Sequence, residues 1–266
     1  MENKAFIVGK CVLIFLSTII VWHLYRFIVS FSAYKSFFEW ETGQGYLFYL
    51  FFYIIMLAIL FFFTIHVDHS SLKDLGIRRV AKWKYHILLG VVFAFLIRFL
   101  QFGSGLLIGG VVVVHNYSSP FVIAFFIVTT FFVGLSEEGI FRGYIQRRLT
   151  DVLKFLPALL VTTILFHIYH INFFTASTGE LVTAVLGIAP NFAIFAGYLY
   201  YKSRGILLAP IALHMFYDLF GTIVPIGIDI TNIEPILVSI SNILIWSVLI
   251  IVLKIMADRA RILTQT

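Results

Sequence analysis

Seven side chains able to carry charge or a proton gather in three long apolar runs of this 266-residue chain. Glu137, Glu138 and Arg142 lie in one run, His167 and His170 in a second, and His214 and Asp218 in a third. Carboxylates and imidazoles are the usual groups of general acid–base catalysis, and ionisable groups in hydrocarbon are costly enough that each needs a reason. Helical spacing sorts them. Glu138 and Arg142 are four apart, so they share a face and can pair. Glu137 is turned about 100° away from Glu138, which leaves one carboxylate structural and the other free for chemistry. His214 and Asp218 are also four apart on one face. His167, three residues before His170, is expected to be packed or hydrogen-bonded. At a rise of about 1.5 Å per residue, Glu137, His170, His214 and Asp218 lie roughly 14–21 Å from the inner ends of their helices, the common depth that a shared polar cavity requires. Glu137, His170 and His214 would also make a three-ligand zinc site with an open position. The helix-borne HExxH signature is absent, so a site without a metal cofactor is the favoured reading. Arg98 and Gln101 sit in a further apolar run outside any such pattern. Either they line a substrate cavity or Arg98 snorkels to the inner interface, and the second is favoured.

The elements that carry these residues follow from composition. The chain is 61% hydrophobic and 12% charged, with a mean hydropathy of +1.01. Soluble domains are nearer 45–50% apolar and about 25% charged. An aqueous core of this sequence would leave too few polar residues to cover its outside. That excludes a soluble enzyme, a disordered chain and a nucleic-acid-binding module, and it implies an all-α, polytopic membrane helix bundle in one domain over 1–266. Eight spans are expected, at 6–28, 46–66, 86–114, 119–149, 156–171, 181–201, 205–222 and 236–257. The first is expected to be a retained helix rather than a cleaved leader, because no small-x-small site ends it. The Phe-rich stretch 48–63 reads as lipid-facing surface. With both termini in the cytoplasm, every Lys and Arg except Arg26, Lys35 and Arg98 falls on the inner side, as the positive-inside bias requires. The net charge of +6 then reflects loops facing anionic lipid. The single cysteine, Cys11, excludes an intramolecular disulfide.

Three motifs carry a family resemblance. EEGIFRG (137–143) resembles the EExxxR motif of the CPBP family, the CAAX proteases and bacteriocin-processing enzymes also called the Abi family. Phe166-His167-Ile168-Tyr169-His170 is similar to its FxxxH motif, and His214-Met215-Phe216-Tyr217-Asp218 to its HxxxN/D motif. LKDLGIRR (72–79) and GYLYYKSRGILLAPIALH (197–214) resemble flanking text of the family, so the likeness spans about 70–222. The resemblance implies an eight-helix intramembrane endopeptidase, described as glutamate-dependent without an obligatory metal, whose site opens toward the cytosol. Glu137 and His170 would correspond to the pair that activates water, and His214 and Asp218 to the pair that stabilises the oxyanion. Glu138 and Arg142 would support the site. CAAX-processing members carry Asn where this chain has Asp218. An Asp donates a hydrogen bond only when protonated; otherwise it orients His214.

The functional expectation is therefore hydrolysis of a peptide bond in a membrane-associated peptide or protein near the cytoplasmic leaflet, in an integral protein of a bacterial cell membrane. A non-catalytic bacteriocin-immunity or membrane-partner-regulating role is the alternative. A transporter would predict inverted repeats, and the sequence shows none.

Overall fold

The computed structural model describes residues 3–30, 44–114, 120–171, 191–224, 226–230, 232–233 and 235–260. Among the described residues there are eight helical rods and one two-stranded ribbon. In chain order they are α1 (Lys4–Ser30), α2 (Gln44–Phe62, ending in a π-helical turn Phe63–Val67), α3 (Trp83–Leu107), β1 (Val111–Val114), α4 (Pro120–Glu138, continuing as a π-helical stretch Gly139–Gln146 and a last segment Arg147–Leu153), α5 (Phe155–His170), α6 (Phe192–Lys202), α7 (Leu208–Ile223), β2 (Ile226–Asp229) and α8 (Pro235–Ala260). Five of the rods are long and apolar enough to cross a bilayer: α1, α2, α3, α4 and α8. The helices α5 and α7 are apolar but shorter. The all-α membrane bundle is thus the observed architecture. Of the sixth expected span, 181–190 lies outside the described residues. The remainder is α6, whose start is capped by Asn191, its side-chain oxygen accepting from the Ile194 N–H at 3.2 Å.

The third expected span needs correction. The helix stops at Leu107 rather than continuing to residue 114. Gly109 takes a left-handed φ of 98°, and four consecutive valines follow, whose branched Cβ atoms favour the pleated backbone over a helix. They form β1, antiparallel to β2 with Val111 opposite Asp229 and Val114 opposite Ile226. The ribbon clips the α3–α4 connection to the α7–α8 connection.

Two buried clusters hold the bundle together. One joins α1, α2, α4 and α5 through side chains such as Ile14, Trp22, Met56, Phe141 and Tyr169. The other joins α3 and α8 to α6 and α7 through Phe93, Ile97, Leu213 and Trp246. The helices α6 and α7 contribute to both, so the seam between the clusters runs along them. The outward faces carry exposed Leu13, Leu88, Phe99 and Leu244, as a lipid-facing surface requires.

Close backbone approaches fix the seam. The contact between α3 and α7 is the most extensive in the bundle. It depends on Gly90, where an added Cβ would run into the Ala209 carbonyl and the Leu213 N–H of α7. The segment before α3 is held by Gly76, whose φ of +92° only glycine adopts readily. Its carbonyl accepts from the Leu207 N–H at 3.1 Å. The two flanking segments singled out in the sequence, 72–79 and 197–214, therefore touch each other. A buried ion cluster closes the same end. Asp68 takes Lys10 of α1 at 2.8 Å and Arg148 of α4, so one carboxylate ties three rods.

Candidate active site

The π-helical stretch of α4 begins directly after Glu138 and is buried throughout. A π turn inserts an extra residue, and such insertions recur at functional sites. Here it aims Arg142 along the inner face. The Arg142 side chain is 1% exposed, and its Nη1 lies 3.1 Å from Glu138 Oε1. Its Nη2 donates to the Ala193 carbonyl at 3.1 Å, and Gln146 Nε2 donates to the Gly197 carbonyl at 3.0 Å. Both bonds bolt α4 to α6. The guanidinium carbon also stands 4.5 Å from the centre of the Phe166 ring. Glu138 Oε1 makes a second contact, 2.8 Å to Nδ1 of His214. Glu138 thus lies between a guanidinium on its own helix and an imidazole on α7.

Glu137 faces another way and keeps different company. Its Oε1 accepts from Tyr53 of α2 at 2.8 Å and from Tyr169 of α5 at 3.3 Å. The Tyr49 hydroxyl is 3.0 Å from that of Tyr53, one helical turn along. Its Oε2 is buried and has no hydrogen-bond partner among the described residues. This oxygen points at two imidazole nitrogens, His170 Nε2 at 3.6 Å and His214 Nε2 at 3.7 Å. These separations are too long for direct hydrogen bonds and suit a bridging water. His170 Nδ1 is bound to the Phe166 carbonyl at 2.8 Å, so Nδ1 carries a proton and Nε2 of the neutral ring presents a lone pair. Asp218 Oδ2 is 3.6 Å from His214 Nε2 on the same face of α7. Exposure differs across the set: the His170 side chain is 44% exposed and that of Asp218 33%, against 1% for Glu137.

Glu137, Glu138, Arg142, His170, His214 and Asp218 thus converge from α4, α5 and α7. His167 does not join them. Its Nδ1 is bound to the Thr163 carbonyl at 2.8 Å and its Nε2 meets the Asn191 amide at 3.1 Å. The Nε of Arg98 donates to the Tyr217 carbonyl of α7 at 2.8 Å. Among the described residues, no group of three or more His, Cys, Asp or Glu is arranged to hold a metal ion. The nearest approach to such a group is Glu137, His170 and His214 at the distances above.

Tyr53 and Tyr169 were missed by sequence reasoning. The 48–63 stretch is not simply lipid-facing: Phe51, Ile54 and Phe62 are exposed, but Phe52, Tyr53, Met56 and Leu60 are buried against the bundle. A signal was present. Tyr49 and Tyr53 repeat at four residues within a run of phenylalanines, and a phenol inside a membrane needs a partner for its hydroxyl.

Fold and site together define a polytopic helical membrane protein with a carboxylate–imidazole centre buried between its helices. Residues 119–220 match the family model described as Rce1-like, type II CAAX prenyl endopeptidase. That segment contains all three motifs, and over it the resemblance to the CAAX protease family is borne out. The family's description names endopeptidases, so the segment carrying the candidate site is similar to a protease family. No curated protein and no solved structure matches the chain.

Proposed function

We propose that the chain is an intramembrane endopeptidase that hydrolyses a peptide bond of a membrane-associated peptide or protein near the cytoplasmic leaflet, using a water activated by Glu137 and His170. The observation that carries this reading is the division of labour within one carboxylate. Two phenols occupy Oε1 of Glu137, while Oε2 is left facing the imidazoles of His170 and His214. A water between them donates one hydrogen to Glu137 Oε2 and the other to the lone pair of His170 Nε2. Its own lone pair is then free to attack a carbonyl carbon, and the departing proton passes to Glu137. His214 has a carboxylate at each end of its ring, Glu138 at Nδ1 and Glu137 and Asp218 at Nε2. When both ring nitrogens carry protons, Nδ1–H is held by Glu138 and Nε2–H donates to the oxyanion that forms on the substrate. Loss of such a donor costs about 2.7–4 kcal/mol of transition-state stabilisation elsewhere. Glu137 then delivers the proton to the leaving amine nitrogen, leaving one new carboxyl terminus and one new amino terminus. Asp218 acts on the ring it faces, as an orienting acceptor or, when protonated, as a second donor. The mechanism uses no resident metal.

The test compares membranes containing wild-type protein with membranes containing Glu137→Ala at matched levels, with new peptide termini mapped by mass spectrometry. Termini that appear only with the wild type are expected, and a chelator such as 1,10-phenanthroline is expected to leave them in place. A Glu137→Ala protein with undiminished cleavage would overturn the assignment. Loss of all termini on chelation would replace the water-activating pair by a metal held on the same three side chains.

A further inference from the structure

The basic end of the bundle holds a cavity of about 360 Å³ that plays no part in the proteolytic reading. It is lined by Ile77, Arg78 and Arg79 of the segment before α3, by Trp83 at the first position of α3 and by Leu208 at the first position of α7. Its size falls in the range of small-ligand pockets, roughly 300–1,000 Å³. The two segments that line it are locked together. A Cβ on Gly76 would strike the Gly205 carbonyl, and the Leu207 N–H donates to the Gly76 carbonyl at 3.1 Å. The walls divide by chemistry. Ile77, Trp83 and Leu208 are apolar and half-buried, while Arg78 and Arg79 are exposed. Among the described residues, no carboxylate lies within ion-pair distance of either arginine. The sequence has no acidic residue between Asp74 and Glu137. Both α3 and α7 begin here without a side-chain cap and without an acidic residue in the first turn. The positive ends of two helix dipoles therefore add to the two fixed charges.

We infer that this cavity binds the headgroup of an anionic phospholipid, with the phosphate on Arg78 and Arg79 and the glycerol ester region against Ile77, Trp83 and Leu208. A guanidinium takes a phosphate through paired N–H···O bonds. Two arginines without a counter-charge favour a headgroup with net negative charge over a zwitterionic one. A free phosphate would leave the apolar wall in water, whereas the glycerol esters of a lipid cover it. The depth fits a headgroup. The span of α3 that is long and apolar enough to cross a bilayer starts at Trp83, and tryptophan rings collect at the membrane–water interface. Bound there, the lipid ties the start of α3 to the start of α7. His214 follows Leu208 by six residues, about 9 Å along the helix, so the same lipid steadies the helix that carries this imidazole. The binding site itself does not depend on the proteolytic reading.

The experiment uses the full chain purified in a neutral detergent. Binding of phosphatidylglycerol and of phosphatidylcholine with the same acyl chains is titrated by native mass spectrometry. Brominated forms of both lipids report contact with Trp83, read as the difference in quenching between wild type and Trp83→Phe. Wild-type protein is expected to bind phosphatidylglycerol at least about fivefold more tightly, the effect of a basic residue meeting one net negative charge, and Trp83 is expected to be quenched more by it. Arg78→Gln/Arg79→Gln should bring the two lipids to within about twofold of each other. Lys73→Gln/Lys254→Gln removes the same charge from exposed positions outside the cavity and should keep the preference. Leu208→Trp fills the cavity without removing a charge and should weaken phosphatidylglycerol binding. Glu137→Ala is expected to bind it as the wild type does, so the lipid site is judged separately from the water-activating assignment. Equal binding of the two lipids by wild-type protein overturns the inference. So does a loss in Lys73→Gln/Lys254→Gln as large as that of the arginine pair, which would make the attraction diffuse. Undiminished binding by Leu208→Trp would place the lipid elsewhere and overturn it too. Displacement of the lipid by equal concentrations of glycerol 3-phosphate or inorganic phosphate would make this a site for a free phosphate instead.

Discussion

The Arg142–Glu138–His214 row makes a quantitative prediction about stability. Arg142 and Glu138 are essentially unexposed and 3.1 Å apart, and Glu138 is shared with His214 at 2.8 Å. At an effective dielectric near 20, charges at this spacing attract by roughly 5 kcal/mol, most of which offsets the cost of removing them from water. Glu138→Gln takes the paired counter-charge from Arg142 and leaves a buried guanidinium with neutral acceptors, the new amide oxygen and the Ala193 carbonyl, and the Phe166 face. A loss of about 3–5 kcal/mol is expected, the range for breaking one partner of a buried pair. Arg142→Met costs less, about 2–3 kcal/mol, because His214 still compensates Glu138 and only the ties to α6 and Phe166 are lost. The double variant Glu138→Gln/Arg142→Met removes both charges. It is expected to be less damaged than the sum of the singles by about 1–3 kcal/mol, the coupling typical of contacting residues. Cys11 supplies the assay, since it is the only cysteine in the sequence and is 3% exposed. Thiol labelling during heating or denaturant titration in detergent then reports opening of the bundle. Strictly additive losses in the double variant would refute the view that these charges are stabilised by one another.

Three further outcomes follow from other contacts. Tyr53→Phe removes the shorter of the two bonds to Glu137 Oε1 and should reduce kcat about tenfold with unchanged Cys11 labelling; the double variant with Tyr169→Phe should fall further, measured on any peptide the wild type cleaves. Gly90→Val forces α3 away from the α7 backbone and should cost about 1–3 kcal/mol or more, read as earlier Cys11 labelling. The Asp74 carboxyl accepts from the Ser71 N–H and hydroxyl and is held below its usual value of 3.8. Its contribution to the 71–76 turn is complete at neutral pH and is lost only as pH falls through that lowered value. Amide exchange at Ser71 should therefore accelerate below about pH 4 and not between pH 5 and 8.

Much of this arrangement was legible in the residues themselves. Four-residue spacing placed Glu138 with Arg142 and His214 with Asp218, and a rise of about 1.5 Å per residue put Glu137, His170 and His214 at one depth. What spacing along single helices could not deliver was contact between helices. Glu138 reaches His214 across the seam between α4 and α7, and no periodicity announces a bond between residues 76 positions apart. Tyr53 was hidden because hydropathy treats a phenol in a Phe-rich run as one more apolar side chain. The end of α3 was misplaced because valine suits a membrane helix by hydropathy. The left-handed Gly109 and the pairing with β2 decided the backbone instead. The bond from Arg98 to the Tyr217 carbonyl, 119 positions away on α7, was equally invisible to spacing along one helix.

The Asp68 cluster has a consequence for the order in which the bundle assembles. Lys10 precedes Asp68 by 58 residues, and Arg148 follows it by 80. As the chain emerges, α1 and α2 can already form an ion-paired hairpin, closed by the first of the two cations. The second oxygen of that carboxylate is filled only when the far end of α4 is present, through Arg148. The same helix carries Glu137, which meets Tyr53 of α2. The N-terminal hairpin, although outside the segment that matches the family, thus supplies through Tyr53 part of the seat on which the Glu137 carboxylate rests.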